Sequence, residues 1–186
     1  MTDTSMKLDS GADVVALLKA QHEQVKGLFQ QVITTMGSQR TEAFNELRRL
    51  LAVHETAEEE IVHPRAREVM ANGDQVVEQR LAEERAAKET LGQLEDLDIE
   101  STQFETAFRR FQKDVLAHAE AEERLEFVEL SAGLDRSQLE RMRKAYALAE
   151  RVAPTHPHAG VESQAANLVT GPFVAMLDRA HDLISH

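Results

Sequence analysis

Apolar residues recur every three or four positions along almost the whole chain, whereas the alternation of apolar and polar residues that indicates strands is nearly absent. A spacing of three and four places side chains on one face of an α-helix. The sequence therefore predicts an all-α fold. Four long amphipathic segments joined by short turns are typical of an up-down-up-down four-helix bundle, here with additional helices at the carboxyl end.

Residues that cap or stop helices give the expected boundaries of these segments. Helix A is expected to run from about Ala12 to Met36 and to end at Gly37. Pro64 is expected to kink helix B near its end, because proline removes a backbone donor and clashes with the preceding turn. The expected N-cap residues of helices B, C and D and of a fifth helix are Thr41, Asp74, Thr102 and Ser137, the last two in capping boxes with Glu105 and Glu140.

Several polar residues lie on the apolar faces that should point into the bundle. Helices B and D share an H-x-x-x-E spacing, which places a histidine and a glutamate one turn apart on the same face. On helix C the helical wheel directs Glu84 inward and places Glu83 about 120° away, toward solvent. His63 lies opposite His54 on helix B and is also expected in solvent unless Pro64 rotates that turn. The inward-facing polar residues are His22 on helix A, His54 and Glu58 on helix B, Glu84 on helix C, and His118 and Glu122 on helix D.

Three carboxylates buried among three imidazoles need a compensating positive charge, because an unpaired buried carboxylate is strongly unfavourable. Lys88 alone cannot balance them, whereas two divalent or trivalent metal ions can. The chain has no Cys, so the ligands are limited to nitrogen and oxygen, and imidazole with carboxylate suits iron, manganese or zinc. The alternative is a metal-free helical interaction module.

The overall charge argues against other classes of partner. The chain has 33 acidic and 21 basic side chains, a net charge of -12, which disfavours nucleic acid and anionic membrane surfaces.

The chain shows neither a secretory signal nor an apolar stretch of about 18 residues. We therefore expect a cytoplasmic protein, and we expect it to be a monomer or homodimer. We predict a disordered start at 1–11, a bundle with a fifth helix at 12–152, and a linker with an amphipathic helix at 153–186.

Three segments resemble the hemerythrin family, specifically bacterial HHE cation-binding domains. They are QHEQVKGLF around His22, HETAEEEIVHP from His54 to Pro64, and HAEAEERLEF from His118 to Phe127, and the resemblance covers residues 12 to about 132. It implies a four-helix bundle around a non-haem di-iron centre, often with an oxo or hydroxo bridge. By the same resemblance the three histidines match terminal ligands, and Glu58 and Glu122 match bridging carboxylates.

The chain departs from the family pattern on helix C, where a histidine is usual and this sequence has Glu83-Glu84. If Glu84 binds, the added carboxylate should favour the ferric state and make reversible oxygen carriage less favourable. If it does not bind, the site holds one metal. We therefore predict reaction with oxygen, peroxide or nitric oxide, which as an enzyme activity would be that of a di-iron oxidoreductase. The alternative is non-catalytic oxygen or iron binding, sensing or storage.

Other residues are candidates to support the ligands. Lys88 is a candidate to pair with an inward carboxylate, and Tyr146 to donate a hydrogen bond near the metals. The remaining glutamates of the two motifs are expected either in solvent or as partners of the ligand imidazoles through the second ring nitrogen. The sequence identifies no pocket for an organic molecule. The glutamates in question are Glu55, Glu59, Glu60 and Glu123.

Overall fold

The computed structural model of the chain describes residues 13–151, and this part consists of helices joined by short turns. The described residues contain no strand, which confirms the all-α prediction. No helix among them is both long and apolar enough to cross a membrane. The elements are α1 (Val14–Thr34), α2 (Gly37–Ala57), a π-helical turn (Glu58–Val62), α3 (His63–Val69), α4 (Gly73–Glu95), α5 (Thr102–Arg124), α6 (Glu126–Gly133) and α7 (Arg136–Glu150).

The predicted four-helix bundle is confirmed, with two of its four long segments interrupted. Predicted helix A is α1 and helix C is α4, while helix B is α2 with the π-helical turn and α3, and helix D is α5 with α6. The fifth predicted helix is α7, which packs against both α1 and α2. Within residues 13–151, α7 thus covers the side of the bundle formed by α1 and α2, and it does not cover the seam between α4 and α5.

The π-helical turn explains why helix B does not follow the simple helical wheel. A π turn accommodates an extra residue, so the residues after it are rotated by about 100° relative to a continuous α-helix. Pro64 follows directly at the start of α3, where its missing N–H and its ring disfavour a regular α-helical turn before it. The predicted kink is therefore a change of helical phase.

Two apolar clusters lie on either side of the polar residues of the bundle. The phenylalanine cluster fills the space between α1, α2, α4 and α5, and the α7 cluster joins α1, the π-helical turn, α6 and α7. His22 lies between Leu18 of the α7 cluster and Val25 of the phenylalanine cluster, so the polar residues occupy the boundary between the two. The main members are Phe29, Phe44, Phe104, Phe108 and Phe111 in the phenylalanine cluster, and Leu18, Ile61, Phe127, Leu130, Met142 and Tyr146 in the α7 cluster.

Some predicted helix starts were wrong by a few residues. Helix α2 begins at Gly37, which has a φ of 60°, and Thr41 lies inside it, donating its hydroxyl to the Gly37 carbonyl. Ser101 caps α5 by accepting from the Phe104 N–H. A capping box formed by Asp135 and Gln138 begins α7, in place of Ser137 and Glu140. Helix α4 begins at Gly73 with Asp74 in its first turn. The segments predicted as a disordered start and as a linker with a terminal helix, 1–11 and 153–186, lie outside the described residues.

Candidate metal centre

The six inward-facing polar residues meet in two groups that share two carboxylates. Each residue of a group offers one ligand atom, and the atoms within a group lie within 4.8 Å of one another. We call the residues particular to the first group, His22 and His54, the His54 side, and those particular to the second, Glu84 and His118, the His118 side. The first group is His22, His54, Glu58 and Glu122. The second group is Glu58, Glu84, His118 and Glu122.

Many potential ligand atoms in these groups have no hydrogen-bond partner among the described residues. They include Nε2 of His22, one carboxylate oxygen of Glu84, and both carboxylate oxygens of Glu58 and of Glu122. Glu58 and Glu122 are fully buried and Glu84 is 2% exposed. Unsatisfied buried carboxylate oxygens are costly, and metal cations would satisfy them, so the residues present fit a metal centre.

The three histidines of the two groups are held in the same way. Each Nδ1–H donates to a side-chain oxygen on another helix, which leaves Nε2 directed toward the shared carboxylates. Such a hydrogen bond selects the ring tautomer and orientation that a metal ligand needs. The distances from Nδ1 are 2.9 Å to Glu123 Oε1 for His22, 2.8 Å to Gln21 Oε1 for His54 and 2.9 Å to Glu83 Oε2 for His118.

His63 was expected in solvent, and this expectation is wrong. Its side chain is 2% exposed, because the π-helical turn rotates it toward the centre. Nε2 of His63 donates to Glu84 Oε1 at 2.6 Å, and Nδ1 lies 3.3 Å from Glu126 Oε2. His63, Glu122 and Glu126 form a third group with ligand atoms in mutual reach.

Arg80 and Glu126 were missed from the sequence and complete a polar network on the His118 side. Arg80 Nε lies 3.2 Å from Glu126 Oε1, and the same guanidinium binds Glu83. Glu83, predicted to be in solvent, is only 35% exposed and accepts from His118. A signal existed for both missed residues, since Arg80 lies one turn before Glu84 and Glu126 one turn after Glu122.

The protonation of the centre differs sharply between its histidines. Burial lowers the pKa of His54 to about 3. Burial acts in the same direction on His118, but the charge of Glu122, whose Oε1 lies 3.2 Å from Nε2, and the hydrogen bond to Glu83 outweigh it and raise that pKa to about 10. Burial together with the charges of Glu122 and Glu84 raises the pKa of Glu58 well above its ordinary value.

Among the candidate supporting residues, Tyr146 and Lys88 are placed differently. The buried Tyr146 hydroxyl donates to Gln21 Oε1 at 2.8 Å and lies 3.0 Å from Nδ1 of His54, so it contacts a candidate ligand directly. Lys88 donates to Glu59 and lies 3.7 Å from Glu55. Glu55 is 7% exposed and is therefore part of the interior rather than of a solvated face.

Comparison with known proteins agrees with the geometry. Residues 13–130 match the model of the family described as hemerythrin HHE cation-binding domain. The fold is similar to the crystal structure of a hemerythrin HHE cation-binding domain-containing protein from Mycobacterium kansasii, with 21% sequence identity and a TM-score of 0.65 over 91% of this chain and 99% of that chain. No curated protein matches the chain in sequence.

Proposed function

The chain belongs to the hemerythrin family of HHE cation-binding domains, and we propose that it holds two iron ions that react with oxygen, peroxide or nitric oxide. The observation that carries the proposal is the pair of ligand groups that share Glu58 and Glu122. His22 and His54 would complete the ligands of one ion, and His118 and Glu84 those of the other. Manganese or zinc would suit the same ligand types.

The side chains around this centre support a role in redox chemistry. When bound, a pair of iron ions supplies two electrons, one from each ion, beside coordination positions that a small molecule can reach. Glu84, where the family usually has histidine, gives the centre a third carboxylate. Anionic oxygen ligands favour the higher charge of the ferric state, and so favour reaction with oxygen or peroxide over its reversible carriage.

The first experiment is to measure the metal content of the protein grown with iron and to count the sites by anomalous scattering. We expect about two iron ions per chain in the wild type. Glu122→Ala should lose both ions because it removes a carboxylate shared by the two groups. Glu120→Ala is the matched control on the same helix, since that side chain is 72% exposed, and it should keep the wild-type content. A folded wild-type protein that binds no metal would overturn the proposal.

The second experiment follows the reaction of the diferrous protein with oxygen, hydrogen peroxide or nitric oxide by stopped-flow absorption. We expect oxidation to a diferric product with oxygen and with peroxide. A stable oxygen complex that releases its oxygen unchanged when the gas is removed would instead identify a carrier.

A further inference from the structure

A cavity of about 390 Å³ lies between α4 and α5 and reaches the candidate metal centre. Its inner end is polar and is formed by four of the candidate ligands. An apolar part of its wall is formed by members of the phenylalanine cluster, and further polar side chains line the rest. The polar end consists of His22, His54, Glu84 and His118, and the apolar wall includes Val25, Leu51, Phe111 and Val115.

The cavity exists because small residues line the two helices at this level. Ala86 and Ala87 on α4 and Ala117 and Ala121 on α5 all line it, and Ala86 and Ala117 are exposed at its mouth. Toward the other end of the bundle, large side chains fill the space between the same helices. These are Leu91, Leu94, Phe104 and Phe108, all of which are buried.

The size and lining of the cavity indicate an organic ligand. One water molecule takes about 30 Å³ of liquid volume, so a diatomic molecule or hydrogen peroxide would fill only a small part of the space. Cavities of about 300–1,000 Å³ with apolar walls and a few polar groups are typical of sites for small organic molecules. A polar end beside metal ligands and an apolar wall fit a molecule with one polar end.

The charges along the cavity disfavour an anionic ligand. Glu83 and Asp114 line it in addition to the candidate ligand Glu84. Arg80 also lines it, but its guanidinium is already engaged by Glu83 and Glu126. The net charge of -12 also disfavours an anionic ligand. In the metal-free protein a neutral molecule therefore suits the cavity better than a carboxylate of the same shape.

We propose that this cavity binds small neutral organic hydroperoxides, with the apolar group against Val25, Leu51 and Phe111 and the hydroperoxide group toward His118 and Glu84. The inference rests on the proposed function. In the reaction ROOH + 2 H⁺ + 2 e⁻ → ROH + H₂O the O–O bond breaks, two ferrous ions are oxidised to ferric, and the protons come from water at the mouth. The organic part leaves as an alcohol of the same carbon skeleton.

The binding test uses the metal-free protein, because the cavity is formed by protein side chains. Saturation-transfer NMR should detect tert-butyl hydroperoxide and tert-butanol on the wild type, and should detect pivalate, the anion with the same tert-butyl group, much more weakly. Ala87→Phe should fill the apolar part of the cavity and abolish binding. Ala82→Phe is the matched control, since Ala82 is exposed on the same helix and does not line the cavity.

The reaction test compares single-turnover oxidation of the diferrous protein by tert-butyl hydroperoxide and by hydrogen peroxide. Ala87→Phe should lower the ratio of the two rates at least about tenfold, and Ala82→Phe should leave the ratio unchanged. If hydrogen peroxide oxidises the protein but tert-butyl hydroperoxide neither binds nor reacts, the inference is wrong and the proposed function stands. If neither peroxide oxidises the iron-loaded protein, the proposed function fails. Equal ratios in the wild type and Ala87→Phe would also overturn the inference, provided circular dichroism shows both folded.

Discussion

The two sides of the candidate centre are built from the same H-x-x-x-E spacing but lie in opposite surroundings. His54 packs beneath α7, where Tyr146 and Gln21 contact its outer nitrogen. His118 faces the cavity between α4 and α5, and its side chain is 15% exposed against 6% for His54. Identical spacing therefore specifies where a ligand points without specifying its protonation or access to solvent.

The difference in surroundings appears as a difference in charge. The pKa of His54, lowered by burial to about 3, leaves that ring neutral at pH 7. On the other side burial opposes protonation of His63, but hydrogen bonds to Glu126 and Glu84 raise its pKa to about 10, and the pKa of His118 is also about 10. The neutral ring of His54 can thus accept a cation directly, whereas His118 must first lose a proton.

The largest expected effect comes from breaking the polar network of the His118 side. Arg80→Met removes one of the two cationic partners of Glu126, which is fully buried, and leaves His63 as the other. Loss of one partner from a buried ion pair costs about 3–5 kcal/mol, so the free energy of unfolding of the metal-free protein should fall by about that amount. Urea denaturation measures the change.

The matched control for Arg80 is Arg67→Met on the neighbouring α3. Arg67 pairs with Asp74 and Glu78 near the surface, where its side chain is 35% exposed. We expect little change in stability, because exposed ion pairs contribute little. Equal losses in the two variants would show that the network on the His118 side does not stabilise the fold.

The second prediction concerns the pH dependence of the metal-free protein. His118 and His63 are protonated in the folded state with pKa values of about 10, against about 6.5 when unfolded. Their contribution to stability is complete below pH 6.5 and is lost as the pH rises toward 10, at up to about 1.4 kcal/mol per pH unit for each proton. His118→Gln should therefore reduce the alkaline slope by the contribution of one proton.

On the His54 side, the pH dependence of stability should have the opposite sign. Because the pKa of His54 is about 3, the unfolded chain binds a proton between pH 6.5 and 3 that the folded protein does not, and stability is lost as the pH falls. His54→Gln should reduce this acid-side slope and leave the alkaline slope unchanged. Urea titrations of both variants from pH 5 to 9 measure the two slopes. If both substitutions changed the same slope, the stated difference between the His54 side and the His118 side would be wrong.

The smallest expected effect is on the His54 side, where Tyr146→Phe removes one buried hydroxyl. The loss of its hydrogen bond to Gln21 should cost about 1 kcal/mol in the metal-free protein. Affinity for the metal held by His54 should fall about tenfold, because the hydroxyl lies beside Nδ1 of His54.

Ser131→Ala is the control, since among the described residues that hydroxyl bonds the Phe127 carbonyl of its own helix. It should change neither the stability nor the metal affinity. Competition with a chelator measures the affinity.

Local periodicity was sufficient to predict the bundle and the inward direction of the six candidate ligands. A helical wheel depends only on spacing within one segment, so His22, His54 and His118 could be placed on apolar faces without knowledge of their neighbours. The same reasoning failed for His63, because the wheel assumes a continuous α-helix and the π-helical turn changes its phase. Helix starts were misplaced where two adjacent residues could cap, as with Ser101 and Thr102.

The sequence by itself determined the fold class, the nitrogen and oxygen ligand types and the residues that face the centre, because helical repeat and side-chain chemistry are local properties. Only the tertiary structure decided how the two sides differ. The proton affinities of His54 and His118 depend on burial and on Glu83 and Glu122 from other turns and helices, since burial and charge act through space. The cavity likewise depends on the distance between α4 and α5, which no single helix specifies.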